Sequence, residues 1–585
     1  MPARTLAARS PALIAILDEH VDWSMREDPV GASTRGDLRF NDQLRDESPA
    51  AGERRLAEIK DRLARLRALD RSAFTPADQL DADLLIYELS LGVERAALHE
   101  EQMPVESLNG PQIWLPQLGE RVPMRTEQHR LVWVARLEAV PEHLAQITEQ
   151  MRLGMAAGRV PPKVVMGHAI DAAASQADAS MIADPAKSPF FAPLRGLAED
   201  DLIAVRARRA IAEGIVPAFQ KFHAFLRDEY TPACRETIGY AKGVDGPRAY
   251  DLALRSHTTL DLSAPEIHAI GVREVARLRA EMIALIPETE FPQRASLAGD
   301  ALLAAFLAWC RSEPSFYYTQ PEAKIRDYRA MCKMIDAELP RLFATLPRNP
   351  YGVREIPRFA AISSPTAYYY PGSLKGGVAG YFMVNTYRLD QRPKYSMLAL
   401  AIHEAVPGHH LQVALASELE GQHEFRALSS YTAYVEGWAL YSEQLGLEMG
   451  ASPSSAGGRG LYAEPMDEFG RLSFEMWRAC RLVVDTGMHA MDWERQRAID
   501  FMLANTALAQ VDVEREIDRY ISMPGQACAY TIGQLKILEL RARAEKALGD
   551  RFDVRRFHDA ILLTGAVPLP VLEAHVDRWI AGERG

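Results

Sequence analysis

Apolar residues recur at helical spacing through most of the chain, and this periodicity constrains the fold more than any other feature. In "RRLAEIKDRLARLRALD" the apolar residues are three or four positions apart and form one stripe: Leu56, Ile59, Leu63, Leu66 and Leu69. Similar patterns run through 127–157, 197–229, 265–287, 325–345, 395–420, 428–449, 467–492 and 530–548. We therefore predict a mostly α-helical chain.

Composition excludes several classes of partner. The net charge is -12 and no Lys/Arg cluster is interleaved with aromatic residues, so nucleic acid is not an expected partner. The five cysteines are far apart and form no CxxC pair, which argues against a disulfide framework or a thiolate zinc site. No window approaches about 18 consecutive apolar residues, and the N-terminal apolar run is too short for a signal peptide. We expect a cytoplasmic protein without a membrane partner. The oligomeric state is left open.

The stretch "AIHEAVPGHHLQ" (401–412) contains the His-Glu pair with which the zinc peptidase motif HExxH begins. In that motif the first histidine is a metal ligand and the glutamate is a base, which here would be His403 and Glu404. The second histidine of HExxH lies one turn after the first, but here that position is Pro407. In a regular helix His409 would point roughly 120° away from His403, and His410 would lie about 10.5 Å further along the axis. A regular helix therefore suits neither histidine.

The residues "VPG" predict that the helix is not regular. Pro407 has no N–H for the carbonyl of His403 and its ring crowds that carbonyl. Gly408 then permits backbone conformations that are closed to other residues. A bulge that absorbs two residues would put His409 where the second ligand is needed. The alternative is a kinked helix whose histidines are solvated or hydrogen-bonded.

A third ligand is expected from "SSYTAYVEGWALYSEQLGLEMG" (429–450), which has a helical pattern. Glu436 lies 33 residues after His403 among apolar neighbours, and a buried carboxylate without a partner is costly. Metal ligation removes that cost, and the alternative is a buried ion pair with Arg478 or Arg481. Glu443, two turns later, is expected to face solvent or to support the ligands from behind.

One stretch reads as β-structure rather than helix. In "SSPTAYYYPGSLKGGVAGYFMVNTYRL" (363–389) prolines and glycines alternate with aromatic and β-branched residues, and 378–388 is the strongest strand candidate. We predict a small β-sheet or hairpin beside the active-site cleft, with 378–388 as an edge strand that pairs with an extended substrate. Tyr381 and Asn385 would then contact the substrate. The alternative is a structural hairpin that caps a helical bundle.

A polar face is predicted on the helix of "WRACRLVVDTGMHAMDW". Arg481, Asp485 and His489 follow at intervals of four and would line the cleft, with Asp485 orienting His489 towards the substrate or the oxyanion. A surface salt bridge plus one unrelated histidine is the alternative. Arg478 and Arg481 are further candidates for binding a substrate carboxylate.

Four blocks together, "HEAVPGHHLQ", "YVEGWALYSEQL", "RLVVDTGMHAMDW" and "PGQACAYTIGQ", resemble a bacterial family named as domain of unknown function 885. Members of that family look like gluzincin-type metallopeptidases, which implies a mostly helical, two-lobed fold around a deep cleft. The HExxGH motif of the dipeptidyl peptidase III family is one residue shorter than HExxPGH and favours His409 over His410 as the ligand. Related gluzincins use a late tyrosine to bind the oxyanion, which implies that role for Tyr530.

These patterns lead to one functional hypothesis. We expect a zinc metallopeptidase, carboxypeptidase-like or an oligopeptidase, with one Zn²⁺ on His403, His409 and Glu436 and with Glu404 as the base. Residues 1–345 would form a helical lobe on one wall of the cleft, and 346–585 the catalytic lobe. The alternatives are a metal-dependent amidase acting on a small amide, or a catalytically silent helical binding protein.

Overall fold

The structure, a computed structural model, describes residues 9–107, 109–361, 364–374, 376–451 and 458–584, with only the backbone for 359 and 360. Its contacts divide the chain into two compact units. Unit 1 comprises Met1–Leu252 and His423–Leu428, and unit 2 comprises Ala253–Gln422 and Ser429–Gly585. A compact unit is defined by contacts and a domain by independent folding, so the domain boundary at residue 345 stays a prediction.

Unit 1 is built from helices that begin at recognisable start signals. In one of them Thr75 accepts from the backbone N–H of Asp78 while the Asp78 side chain accepts from Thr75, and Pro76 takes the first helical position. The helices are α1 (Pro11–Glu27), α2 (Pro29–Arg35), α3 (Pro49–Arg67), α4 (Pro76–Ala96), α5 (Pro111–Arg121), α6 (Glu127–Ala156), α7 (Met166–Gln176), α8 (Ser180–Ala183), α9 (Leu202–Arg209), α10 (Val216–Phe225), α11 (Thr231–Ala233) and α12 (Gly246–Thr258), which runs past residue 252.

Unit 2 contains most of the predicted site residues and is also mainly helical. Its helices are α13 (Ala264–Leu285), α14 (Gly299–Ser312), α15 (Pro321–Asp336), α16 (Leu339–Leu342), α17 (Arg358–Ala361), α18 (Met397–Glu404), α19 (His409–Glu418), α20 (Thr432–Leu445), α21 (Pro465–Ala490), α22 (Arg495–Asn505), α23 (Gln510–Ser522), α24 (Ala529–Leu548), α25 (Val554–Leu562) and α26 (Leu569–Arg584). The buried helix α21 packs against α13, α18, α20 and α24. The prediction of a mostly helical chain is confirmed.

A small three-stranded sheet in unit 2 confirms the predicted β-structure, although its strand order corrects one detail. The strands are β1 (Tyr351–Glu355), β2 (Ala367–Tyr370) and β3 (Gly380–Val384), in the order β1–β3–β2. β3 pairs parallel with β1 and antiparallel with β2. The strand predicted at 378–388 is therefore central, and the prediction of an edge strand there is wrong.

The strand at 378–388 was predicted to lie at the edge because its neighbour β1 is not recognisable in the sequence. β1 lies between Pro350 and Pro357 in a stretch that has the composition of an irregular break, and it becomes a strand only by pairing with β3. The edge strands are β1 and β2. Residues 363 and 375 of the predicted β-stretch lie outside the described residues.

The sheet lies against α18, which carries the HE motif, and against α19, which follows it. Phe382 and Val384 are fully buried, and the Phe382 ring packs edge-on against Tyr328 with the ring centroids 4.9 Å apart. β2 contacts α18, and β3 contacts α19.

Across the described ranges, none of the helices combines the length and the apolar composition that crossing a bilayer needs.

Candidate metal centre

The helix that carries the HE motif ends at the glutamate, as the proline predicts. All residues of α18 are buried, and it stops at Glu404. α19 begins at His409 after a four-residue link that contains a cis Val406–Pro407 peptide bond. The Pro407 carbonyl, which no longer belongs to a helix, accepts a hydrogen bond from the indole N–H of Trp438 at 2.9 Å. The predicted break in the helix is confirmed.

Gly408 is required because the link passes very close to the end of α18. A Cβ atom at this position would lie 1.9 Å from the His403 carbonyl oxygen and 2.4 Å from that of Ile402. The Gly408 N–H instead donates to the Ile402 carbonyl at 3.0 Å. This close return of the chain brings the ring of His409 beside that of His403, with 4.8 Å between ring centroids and 85° between the ring planes.

Glu436 completes a group of three side chains. Its Oε2 atom lies 3.6 Å from Nε2 of His403 and 3.5 Å from Nε2 of His409. One nitrogen or oxygen atom from each of the three residues lies within 4.8 Å of the other two. Within the described part of the chain Glu436 forms no ion pair with an arginine, so the alternative of a buried Arg–Glu pair does not occur there.

The electrostatics of this group favour charged side chains despite burial. Burial alone would raise the pKa of Glu436, but His403 and His409 outweigh it and hold that pKa well below its usual value. Burial would likewise lower the pKa of His403, but the carboxylates of Glu436 and Glu443 outweigh it and raise the pKa to about 9. The site therefore holds an anionic carboxylate against two imidazole rings.

Glu443 contacts the ring nitrogen of His403 that does not face Glu436. Its Oε1 atom lies 2.8 Å from Nδ1 of His403, and the residue is only 2% exposed. An ionised carboxylate accepts the Nδ1 proton, so Nδ1 is engaged by Glu443 and Nε2 is the nitrogen that faces Glu436. Of the two places expected for Glu443, the structure shows the supporting one and not the solvent-facing one.

Glu404, the last residue of α18, is 8% exposed. Within the described residues its carboxylate makes no hydrogen bond or ion pair, although it follows His403 directly in the sequence. A buried carboxylate that is not held by neighbours is free to exchange a proton with a bound molecule.

His410 points away from the group, into the sheet. Its Nδ1 atom lies 3.0 Å from the hydroxyl of Tyr369, and its ring centroid is 4.7 Å from that of Tyr351. Burial lowers the pKa of His410 to about 4. A Cβ atom at Gly380 would lie 2.5 Å from that hydroxyl and 3.0 Å from Nδ1, so only glycine leaves room for this arrangement. The partner of His410 is therefore a tyrosine of the sheet and not the metal group.

Tyr530 is brought to Glu436 by a close packing of two helices. A Cβ atom at Gly437 would lie 2.5 Å from the Gly533 backbone, and one at Gly533 would lie 1.9 Å from the Ala433 carbonyl oxygen. Glu436 on α20 and Tyr530 on α24 both lie next to this contact. Burial first, and then the Glu436 carboxylate, raise the pKa of Tyr530, which keeps its hydroxyl protonated.

The predicted polar face of α21 contacts the backbone of the segment that precedes α24. Nε2 of His489 lies 2.9 Å from the Tyr520 carbonyl oxygen, and both carboxylate oxygens of Asp485 accept from the Gly525 N–H. Both side chains hold the segment that leads to Tyr530. These contacts indicate that His489 positions the backbone near Tyr530, and its contact with substrate stays a prediction.

Of the two residues of the sheet region predicted to contact substrate, the structure contradicts Asn385 and leaves Tyr381 open. Asn385 is fully buried, and its amide donates to the carbonyls of Ala361, Ser364 and Pro365. It closes the turn after β3 and has no free donor for a ligand. The Tyr381 hydroxyl accepts from Arg354, whose guanidinium also stacks over its ring at 3.5 Å. The sheet alternates its side chains, so Tyr381 faces away from His410, and its contact with substrate stays a prediction.

Sequence reasoning missed the two tyrosines that hold His410. Tyr351 and Tyr369 lie on strands whose pairing depends on residues far apart in the sequence, and no local pattern links them to His410. Gly380 was the one available signal, because a glycine inside a strand often marks a close approach.

The comparisons with known proteins place the chain in a family. A search of curated proteins finds no match. The crystal structure of the "putative lipoprotein" from Colwellia psychrerythraea matches with a TM-score of 0.87 and 27% identity, over 97% of this chain and 99% of that chain. A "putative lipoprotein of unknown function" from Shewanella oneidensis matches with a TM-score of 0.74 and 17% identity over the same shares, which shows a common fold. The family described as "Bacterial protein of unknown function (DUF885)" matches residues 29–576, and the chain therefore belongs to that family.

Proposed function

We propose that this protein is a zinc-dependent hydrolase of peptide bonds. The observation that supports the proposal is that His403, His409 and Glu436 lie close together, next to Glu404. The break in the helix between His403 and His409 is what allows this arrangement. Two histidines, one carboxylate and a position left for water are the ligand set of many catalytic zinc sites.

The three side chains fit a zinc ion. Two ligand atoms at about 2.1 Å from a tetrahedral ion lie roughly 3.4 Å apart, and the separations from Glu436 are 3.5 and 3.6 Å. The Glu443–His403 pair fixes which nitrogen faces the site, as carboxylates do behind zinc-bound histidines. Three carboxylates, Glu404, Glu436 and Glu443, surround the histidines, and a divalent cation would offset their charge.

The residues of the chain then have separate tasks. A zinc ion bound here supplies Lewis acidity, which activates water and polarises a carbonyl group. Glu404 accepts the proton of the attacking water and returns it to the leaving nitrogen. Tyr530 donates its hydroxyl proton in a hydrogen bond to the carbonyl oxygen as negative charge develops there. We also propose that the chain forms a two-lobed body like that of gluzincin peptidases, because its HExxPGH motif resembles theirs.

An extended substrate should be preferred over a compact one. Because β3 is central, we assign the pairing of substrate backbone to the edge strand β2, which contacts α18. Two or three backbone hydrogen bonds would raise kcat/KM for a hexapeptide at least ~10-fold over a capped amino acid amide. Hydrolysis is measured by mass spectrometry before and after zinc is removed with a chelator, and again after zinc is restored.

Hydrolysis should disappear with the metal and return with it. Equal kcat/KM for the hexapeptide and the amide would favour the amidase alternative, and zinc binding without hydrolysis of either would favour a silent binding protein.

Replacing Glu443 with glutamine should weaken zinc binding by roughly 10- to 100-fold. The amide can still accept from Nδ1 of His403, but it lacks the charge that makes the other nitrogen a strong ligand. Zinc affinity is measured by competition with a chromophoric chelator. Glu420→Gln, which changes an exposed carboxylate of the same unit, is the matched control. Equal zinc affinity for the Glu443→Gln and Glu420→Gln proteins would contradict the supporting role.

A further inference from the structure

The buried face of α21 carries a row of polar and charged side chains. They recur at intervals of three and four and so share one face of the helix: Glu468, Arg471, Glu475, Arg478, Arg481, Asp485 and His489. Buried charges are costly unless they are paired, so each member of such a row is expected to have a partner.

Most of the row is paired within the protein. Arg471 bonds with Glu468 at 2.6 Å and with Glu475 at 2.7 Å. Arg481 donates to the Tyr520 hydroxyl at 2.7 Å and lies 3.2 Å from Glu516. The members further along hold the backbone near Tyr520 and Gly525, as described above.

Arg478 is the exception. It is 4% exposed, and its guanidinium stacks over Trp477 at 4.6 Å and Phe474 at 4.4 Å. Its hydrogen bond is to the Phe474 carbonyl of its own helix, at 3.3 Å. Within the described residues Nε has no acceptor and the side chain has no ion pair. A buried guanidinium without an anion lacks the group that would make its burial favourable.

The neighbours of Arg478 place it at the candidate metal centre. One turn earlier, Glu475 accepts a hydrogen bond from Gln444, the residue after Glu443. One turn later, the Arg481 guanidinium lies 4.5 Å from the Tyr530 ring centroid. Arg478 lies between these two contacts on the same face. Burial lowers its pKa, and the carboxylates of Glu443 and Glu436 are close enough to oppose that effect.

The nearby carboxylates are already engaged. Glu443 is held by His403, and Glu436 faces both histidines. The anion that Arg478 lacks must therefore come from outside the described residues. Nη1 of Arg481 is also buried without a partner there, so a second donor lies one turn away. Planar guanidinium groups match the two oxygens of a carboxylate.

We propose that Arg478 binds the free C-terminal carboxylate of a peptide, so that the hydrolase acts near the carboxyl end of its substrates. This inference rests on the proposed function and names its substrate class. The Trp477 and Phe474 rings hold the guanidinium in place, and Tyr530 is close enough to interact electrostatically with both Arg478 and Glu436.

The test compares two halves of one N-acetylated random hexapeptide library, one with free carboxylates and one with C-terminal amides. Each half carries its own isotope label, and depletion is followed by mass spectrometry in one sample. The native protein should consume the free acids roughly 100-fold faster, because an amide leaves the buried charge unpaired. Arg478→Met should bring the ratio close to one, and Arg478→Lys should retain part of it. The ratio does not depend on the folded fraction of a variant.

Arg497→Met is the matched control, because Arg497 is exposed and also stacks on a tryptophan, at 4.0 Å from the Trp493 ring centroid. It should keep the native ratio. Equal rates for acids and amides in the native protein would overturn the inference while leaving the hydrolase intact. A native ratio in Arg478→Met, or an equal slowing of both halves, would also overturn it. No hydrolysis of either half would instead contradict the proposed function.

Discussion

Replacing Glu404 with glutamine should lower kcat by about 1,000-fold while zinc stays bound. The amide preserves the shape of the side chain, but it cannot accept the proton of the attacking water. Glu404 is buried at the end of α18, and no hydrogen bond within the described residues holds it. The fold should therefore tolerate the change. Turnover of the hexapeptide is measured together with zinc content and the thermal unfolding temperature.

A matched glutamate separates this effect from a general one. Glu420→Gln removes an exposed carboxylate of the same unit and should keep native turnover. If Glu404→Gln retained turnover close to native with zinc bound, Glu404 would not be the base. Loss of zinc from Glu404→Gln would show that the residue is needed for the metal and not for the proton.

The broken helix could be predicted because its cause is local. Pro407 removes a helical hydrogen bond and Gly408 allows the close return of the chain, and both effects act within a few residues. The place of Glu436 followed from the cost of burying a carboxylate among apolar residues. These local arguments were sufficient to name His403, His409 and Glu436 as candidates for one site.

The roles of the two glutamates on α20 show where local arguments stop. Glu436 and Glu443 are seven residues apart and so lie on the same face of the helix. The spacing is compatible with either one as the ligand. The choice depends on where α18 crosses α20, which puts Glu443 at Nδ1 of His403 and Glu436 at Nε2.

The sheet and the polar face of α21 depend on contacts between distant parts of the chain. β3 is central because β1 pairs with it, and β1 has no strand pattern of its own. His489 and Asn385 have side chains suited to catalysis or binding, yet both bond to backbone carbonyls. A sequence shows that such a residue is polar, and only the fold shows which acceptor it meets.

Replacing His409 with alanine should remove zinc, whereas replacing His410 with alanine should not. His409 faces Glu436 and His403, and its loss leaves two protein ligands where catalytic zinc sites have three. His410 bonds to Tyr369 in the sheet. Its replacement leaves a cavity and should cost about 1–3 kcal/mol of unfolding free energy, with the metal retained. The variants are neighbours in one chain, so each is the control of the other.

The most direct test of His409 as the zinc ligand is the zinc content of the native, His409→Ala and His410→Ala proteins. Each protein is dialysed against zinc-free buffer, and its zinc is then measured by elemental mass spectrometry. We predict about one zinc per chain in the native and His410→Ala proteins, and less than about one tenth in His409→Ala. Full zinc content in His409→Ala together with its loss in His410→Ala would contradict the assignment. A native protein that binds no zinc after exposure to it would contradict the metal centre itself.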